Sequence, residues 1–116
     1  MTARVWHGVT RESNGERFHE YMMRTGVKDC RATNGNCGVL ILRRTHQGRT
    51  HFLFLSLWES FEAVRHFAGN DIEKAVYYPE DENLLLELEP TVAHYDVLTN
   101  PVTLFNTDNE PPRVAI

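Results

Sequence analysis

The chain has 116 residues, with 12 Lys and Arg against 16 Asp and Glu and 41% apolar residues. This length suits one domain, and a net charge of −4 argues against a nucleic-acid groove or an anionic membrane surface as the main partner. The longest apolar runs, 38–42 and 52–55, fall far short of the roughly 20 residues of a membrane span. No apolar signal-peptide segment opens the sequence, and two cysteines cannot form a disulfide scaffold. A cytoplasmic protein is therefore expected.

The first part of the chain predicts a strand followed by an amphipathic helix. Residues 3–9 contain β-branched and aromatic side chains, as strands do. Four side chains then recur at the spacing of a helical stripe: Phe18, Tyr21, Met22 and Thr25. Ser13 or Asn14 fits the N-cap, and Gly26 occupies the place of a left-handed C-terminal cap. Residues 27–36 are expected to form a loop.

The middle of the chain predicts a β-hairpin. Its strands are residues 37–44 and 50–58, and the turn between them contains Gly48. Both strands are apolar at odd and even positions alike, whereas a sheet with one solvated face alternates apolar with polar side chains. The predicted sheet is therefore covered on both faces.

A second helix should follow the hairpin. Ser60 fits its N-cap and Gly69 its end, and the predicted apolar face carries Phe61, Val64 and Phe67. Residues 71–78 are expected to form a short helical turn that stops at Pro79.

A final strand over residues 91–98 completes the order βαββαβ. This order is typical of a ferredoxin-like α+β domain, here residues 1–98, with a four-stranded antiparallel sheet. Residues 99–116 are expected to form a tail or arm. Two helices cover only one face of such a sheet, so a second copy packing sheet to sheet is the economical cover, and we expect a homodimer. The alternative is that the tail folds back across the open face.

Several short motifs resemble those of the antibiotic biosynthesis monooxygenase family, in a small bacterial branch of it. They are Trp6-His7-Gly8, Thr25-Gly26-Val27, Arg43-Arg44, Leu57-Trp58-Glu59-Ser60, the run 67–71, the run 75–81 and the run 89–95. The resemblance covers roughly residues 3–98. It implies a ferredoxin-like subunit paired into a dimeric α/β barrel. It also implies cofactor-free oxygenation of a phenol or quinol, which some members of the family perform.

Other members of that family degrade haem, with a strand asparagine, a helix tryptophan and a histidine after the second helix. On this sequence the tryptophan position falls at Phe67 and the histidine position at Tyr77, and the first strand has no asparagine. All three positions depart from the pattern. The resemblance therefore argues against haem degradation by that route.

Three residues are candidates for catalysis. Oxygenating a phenol without a cofactor needs a base, an apolar ring pocket and donors that stabilise the phenolate, because a phenol has a pKa near 10 and histidine one near 6.5. His7 and His94 are candidate bases or polar pocket groups. Tyr77 is the preferred donor, since it stands at the relatives' histidine position. A hydrogen-bonded structural role is the alternative for each.

Four aromatic residues are candidates for substrate binding: Trp6, Trp58, Phe67 and Tyr78. Packing in the core or at the dimer interface is the alternative for Trp6, and packing where the strand meets the helix is the alternative for Trp58. Trp6 and His7 are neighbours on one strand and point to opposite faces. The sequence does not decide which of the two faces the helices.

No metal site and no cofactor are expected. His46 and His51 flank the hairpin turn without a carboxylate at a ligand spacing, and Cys30 and Cys37 match no zinc or redox motif. No phosphate-binding, flavin or nicotinamide fingerprint is present. Two functions follow as hypotheses. One is a cofactor-independent monooxygenase acting on an aromatic or quinol-like small molecule. The other is a non-catalytic dimeric α/β barrel that binds a small apolar metabolite.

Overall fold

A computed structural model describes residues 1–99, which form one four-stranded antiparallel sheet with helices on one face. The strand order in the sheet is β2-β3-β1-β4, and the ferredoxin-like α+β prediction is confirmed. The elements are β1 (Thr2–Arg11), a 3₁₀ turn (Glu12–Asn14), α1 (Gly15–Arg24), α2 (Gly26–Arg31), β2 (Asn36–His46), β3 (Arg49–Trp58), α3 (Phe61–Ala68), α4 (Asp81–Leu84) and β4 (Ala93–Asp96). The predicted tail, apart from Thr99, lies outside the described residues.

The hairpin of β2 and β3 closes on a two-residue turn. Gln47 and Gly48 both have positive φ angles, 51° and 77°. Two such residues form the type of turn whose twist matches that of the flanking strands. The hairpin prediction is confirmed, with strands that run closer to the turn than expected.

Helix α1 forms where the apolar stripe predicts it. Asn14 occupies the predicted N-cap position, although its side chain makes no cap hydrogen bond, whereas the predicted C-terminal cap is wrong because Gly26 does not take a left-handed conformation. The helix breaks at Thr25, whose hydroxyl donates to the Tyr21 carbonyl oxygen at 2.7 Å. Gly26 then starts α2, and a side chain there would lie 3.0 Å from the Phe54 ring.

The predicted loop 27–36 is wrong over its first half. Residues 27–31 belong to α2, which buries Val27 and Cys30 on one side. Residues three apart share a helix face, so the helical conformation turns both side chains toward the core. Both Cys30 and Cys37 are free thiols.

Helix α3 starts and stops as predicted. The Ser60 hydroxyl accepts a hydrogen bond from the Ala63 amide at 3.2 Å, and Gly69 ends the helix with a φ of 87°. The predicted stripe is wrong at one position, because Phe61 is exposed and Ala63 and Val64 are the buried pair.

Of the predicted helical turn at 71–78, only the start forms a turn, in which the Lys74 amide donates to the Asp71 carbonyl oxygen at 3.2 Å. Lys74 then pairs with Thr91 just before β4, so the rest of the predicted turn is wrong. The helical turn comes after Pro79 instead, where the Asp81 amide donates to the Tyr78 carbonyl oxygen at 3.0 Å. This places Pro79 at the second position of a β-turn, which its fixed φ favours. β4 is accordingly shorter than the predicted strand 91–98.

The two faces of the sheet differ in cover. Helices bury the face that carries Phe52 and Trp58. The other face carries Leu42, Leu53 and Tyr95, which are among the most exposed large apolar residues of the chain up to Thr99. In the same part of the chain, no helix has the length and apolar character that crossing a membrane would require.

Candidate functional site

A cavity lies on the helix-covered face of the sheet. Its empty space, counted with the solvent at its mouth, is about 520 Å³. Alternate residues of a strand point to the same face, so β1 contributes Arg4 and Trp6 while β3 contributes Phe54 and Ser56. The rest of the wall is mostly apolar and aromatic and includes Phe18, Met22, Phe67, Val76, Tyr77 and Tyr78.

Trp6, and not His7, faces this cavity. Its indole Nε1 donates to the Tyr77 hydroxyl at 3.1 Å, and its ring centroid lies 5.9 Å from that of Phe18. The far end of the indole lies over Gly8, where an added Cβ would come within 2.0 Å of the ring. The absence of a side chain at Gly8 is therefore what lets the indole lie against the strand.

His7 lies on the opposite face of the sheet, so it does not share the cavity with Tyr77, and the choice that the sequence left open falls on Trp6. Its Nδ1 is 2.5 Å from Glu89 Oε2, and its Nε2 is 3.2 Å from His51 Nδ1. The two imidazole rings stack with centroids 5.4 Å apart. The physical reason is strand alternation, which turns His7 away once Trp6 faces the helices.

Both candidate tyrosines line the cavity, but their hydroxyl protons are engaged elsewhere. The Tyr77 hydroxyl donates to the Glu89 carbonyl oxygen at 2.5 Å, and the Tyr78 hydroxyl donates to Asp29 Oδ2 at 2.7 Å. Burial is the main cause that raises the pKa of each phenol. Each phenol has a single proton to donate, so in this arrangement neither tyrosine has a hydroxyl proton left for a ligand, and both serve as parts of the cavity wall.

Trp58 and Phe67 stack with ring centroids 5.7 Å apart, but only Phe67 lines the cavity. Trp58 is fully buried, and its indole donates to the Ser56 hydroxyl at 2.8 Å. The structure thus places Trp58 in the core beneath the cavity wall. A change at Trp58 would reach a ligand through the cavity-lining residues next to its cluster, such as Phe67, Ser56 and Phe54.

Sequence reasoning missed Arg4, which is 4% exposed and forms part of the cavity wall. Its Nη1 donates to the Ile72 carbonyl oxygen, and its Nη2 donates to the Lys74 carbonyl oxygen at 3.0 Å. Nη1 also lies 3.2 Å from His94 Nε2. Within residues 1–99, no carboxylate lies at ion-pair distance from this guanidinium. Arg4 and Trp6 are two residues apart on β1 and therefore point to the same face of the sheet, and this spacing is the signal that could have revealed Arg4.

Sequence reasoning also missed Asp81, a second charged residue in the cavity wall. Its carboxylate is buried and accepts a hydrogen bond from the Tyr78 amide at 2.6 Å. Burial raises the pKa of this carboxyl group, and the amide bond partly opposes that shift. Among the described residues Asp81 has no cationic partner. The cavity therefore holds a carboxylate and a guanidinium that do not pair with each other.

His94 lies on the same face as Arg4 but does not itself line the cavity. Because a guanidinium has only donors, His94 Nε2 must be the unprotonated acceptor in their contact. Burial, and then the Arg4 charge, lower the pKa of His94 from its ordinary value. His94 is thus a neutral residue that positions Arg4.

Protonating His94 should destabilise the fold. Because its folded pKa lies below its unfolded value of 6.5, this contribution to stability is complete above pH 6.5 and is lost as the pH falls through the folded pKa. Urea unfolding at pH 7.5 and pH 5.5 measures the loss. The variant His94→Gln keeps an acceptor for Arg4 but does not titrate, so it should show a smaller loss. Equal losses in both proteins would contradict this assignment.

Comparison with known proteins bears on the fold. No family model matches the chain, and no curated protein matches it. Among solved structures, a provisionally assigned antibiotic biosynthesis monooxygenase from Nitrosomonas europaea is similar, with a TM-score of 0.59 and 15% identity, over 85% of this chain and 100% of that chain. A mutant of MhuD with two manganese protoporphyrin IX molecules per active site is similar at a TM-score of 0.55 and 13% identity, over 86% of this chain and 97% of that chain. The chain therefore has the ferredoxin-like α+β fold found in an antibiotic biosynthesis monooxygenase.

Proposed function

We propose that this protein is a cofactor-independent monooxygenase that oxidises an aromatic or quinol-like small molecule with O2. The observation that carries the proposal is two charged groups in an aromatic cavity, the Asp81 carboxylate and the Arg4 guanidinium, neither of which forms an ion pair within residues 1–99. A carboxylate whose pKa is raised by burial is a better base than an exposed one. A buried cation stabilises a developing phenolate or enolate, and in this role it replaces the water that would solvate the anion outside the protein.

In this mechanism the flat ring lies among the aromatic walls while Asp81 accepts its acidic proton. Arg4 stabilises the resulting anion, which is rich enough in electrons to react with O2. For an anthrone, the methylene carbon loses two hydrogens and gains one oxygen atom, and the other oxygen atom leaves as water. The substrate supplies all four electrons, so no separate reductant is needed. His94 positions Arg4, and Tyr77 holds Trp6 in the wall.

Oxygen uptake tests this proposal directly. The purified, chelator-treated protein is mixed with a panel of anthrones and quinols, and O2 consumption is followed with an electrode. Uptake above that of heat-denatured protein for at least one compound is the expected result. Uptake equal to that control across the whole panel would contradict the proposal.

Haem chemistry has less support in this cavity. The MhuD mutant holds a porphyrin, but the described residues that line the present cavity include no histidine and no cysteine that could serve as an axial ligand. Both tyrosine hydroxyls of the wall are bound to protein acceptors. The residues present therefore do not fit haem iron, and haemin titration should leave the Soret band at its free position.

A non-catalytic binding protein is the second candidate. The engagement of both tyrosine hydroxyls and the position of His7 on the other face favour it, because they remove three predicted polar groups from the cavity. Saturable binding of an aromatic probe without oxygen uptake would select this function over the first.

We also propose that the open face of the sheet packs against a second copy. Leu42 and Leu53 are cross-strand partners on this face and are 45% and 37% exposed. Large apolar side chains in adjacent exposed positions are typical of an interface. A two-fold pairing of this face with itself would cover both copies at once.

Leu42→Lys should therefore convert a dimer into a monomer, because it places a charge in the apolar interface. Light scattering should give twice 13.4 kDa for the natural chain and 13.4 kDa for the variant. Met23→Lys is the matched control, since Met23 on α1 is 40% exposed but lies on the helical side. A natural chain that is monomeric at micromolar concentration would contradict the pairing. A chain ending at Thr99 should remain dimeric. If the tail covered this face instead, the natural chain would be a monomer.

A further inference from the structure

We propose that Arg4 binds a ligand carboxylate, so that the cavity selects a planar aromatic acid over the corresponding neutral molecule. This assignment rests on the proposed function in that both use the same cavity. It adds the charge that the ligand carries before any reaction takes place.

The first support is the incomplete partnering of the guanidinium. A guanidinium carries five N–H donors. Those of Arg4 reach two backbone carbonyls and the His94 ring, all of them neutral groups. Within the described chain, Nε makes no hydrogen bond, and Nη2 uses only one of its two hydrogens. Donors thus remain on a residue that forms the cavity wall.

The second support is electrostatic. Arginine stays protonated in proteins, although burial lowers the pKa of Arg4 from its usual value. Two carbonyls and a neutral imidazole orient the guanidinium, but they do not cancel its charge. A ligand carboxylate would supply the missing negative charge and form charge-assisted hydrogen bonds, which are about twice as strong as neutral ones.

The third support is the way the charges divide the cavity. Asp81 also lines it without forming an ion pair with Arg4, so a ligand carboxylate is repelled by Asp81 and attracted by Arg4. The walls carry aromatic rings, including Trp6, Phe18 and Phe67, whose faces suit a flat apolar body. An aromatic acid would accordingly bind with its acid group at Arg4, which leaves the rest of its ring system for the neighbourhood of Asp81.

A pair of probes that differ in charge tests the proposal. We would measure 2-naphthoate and 2-naphthylmethanol by isothermal titration calorimetry at pH 7, with O2 removed so that no turnover occurs. The full chain should bind 2-naphthoate at least about tenfold more tightly. This comparison needs no variant. Equal affinities, or no binding of 2-naphthoate at millimolar concentration, would overturn the proposal.

Two arginine variants sharpen the test. Arg4→Gln should abolish the preference and bind the two probes within about threefold of each other, and Arg4→Lys should keep part of it. Arg43→Gln is the matched control, because Arg43 is exposed and pairs with Glu16 at the surface. It removes the same charge and should leave the preference intact. A preference that survives in Arg4→Gln, or that falls equally in Arg43→Gln, would contradict a role for Arg4.

The binding test and the oxygen-uptake test fail separately. A carboxylate preference without oxygen uptake on any substrate would contradict the monooxygenase and support Arg4 as an anion site. Oxygen uptake that is fastest with neutral substrates, together with equal probe affinities, would support the monooxygenase and contradict Arg4 as an anion site.

Discussion

Replacing Asp81 with asparagine should lower the rate of oxygen uptake about 10²–10⁴-fold, the usual contribution of a general base. The substitution keeps the shape of the side chain, and its amide oxygen can still accept the hydrogen bond from the Tyr78 amide. Only the ability to take a proton is lost. The rate with a reactive anthrone, measured by electrode, gives the size of the effect.

The same substitution should not destabilise the fold. Burial raises the pKa of the Asp81 carboxyl, so its contribution to stability is present below the unfolded pKa and is lost as the pH rises through the folded one. At pH 7 the ionised group therefore disfavours folding, and asparagine removes that penalty. Asp29→Asn is the control, since Asp29 accepts from Tyr78 without lining the cavity. A rate for Asp81→Asn within a few-fold of the natural rate would rule out Asp81 as the base.

Replacing Gly8 with alanine should cost about 2 kcal/mol of stability, as overpacking of a filled core does. The added methyl group would lie 2.0 Å from the Trp6 ring. The ring cannot simply turn aside, because it packs against Phe18 and its Nε1 is bonded to Tyr77. Either the indole leaves the cavity wall or the β1 backbone shifts.

A double-mutant cycle with Trp6→Phe identifies the cause of this cost. The atoms nearest to an added Cβ belong to the outer ring of the indole, which phenylalanine lacks. Gly8→Ala should therefore cost at least about 1 kcal/mol less in the Trp6→Phe background, a coupling expected of residues in contact. Urea unfolding of the four proteins measures it. The same cost in both backgrounds would show that the glycine serves the backbone rather than the indole.

The sheet could be predicted from the sequence because its signals are local and repeated. Apolar runs on either side of a glycine-containing turn identified β2 and β3, and a Ser60 cap with a terminal glycine identified α3. The failures occur where a short element depends on distant packing. α2 has only six residues and starts directly after a break at Thr25, so it has no stripe long enough to recognise. Residues 73–75 do not continue a helical turn because they pair with residues 90–92 just before β4, a contact that no local pattern encodes.

The candidate site was predictable only in part, for a related reason. β1 carries apolar residues on both parities, so its sequence does not say whether Trp6 or His7 faces the helices. The orientation of β1 decides three assignments at once: Trp6 and Arg4 line the cavity, and His7 lies on the other face of the sheet. Asp81 was hidden because it follows Pro79 in a segment whose helical turn was expected earlier in the chain.

Glu89 makes hydrogen bonds to residues on both faces of the sheet. Its carbonyl oxygen accepts from Tyr77 on the cavity side, while its carboxylate lies against His7 on the open face. A substitution at His7 or Glu89 therefore alters the surroundings of the cavity wall and of the open face together, and its effects on subunit pairing and on ligand binding could not be assigned separately. Leu42 avoids this ambiguity, because β3 stands between its strand and β1. Interface mutagenesis of this fold should thus begin at the β2 edge.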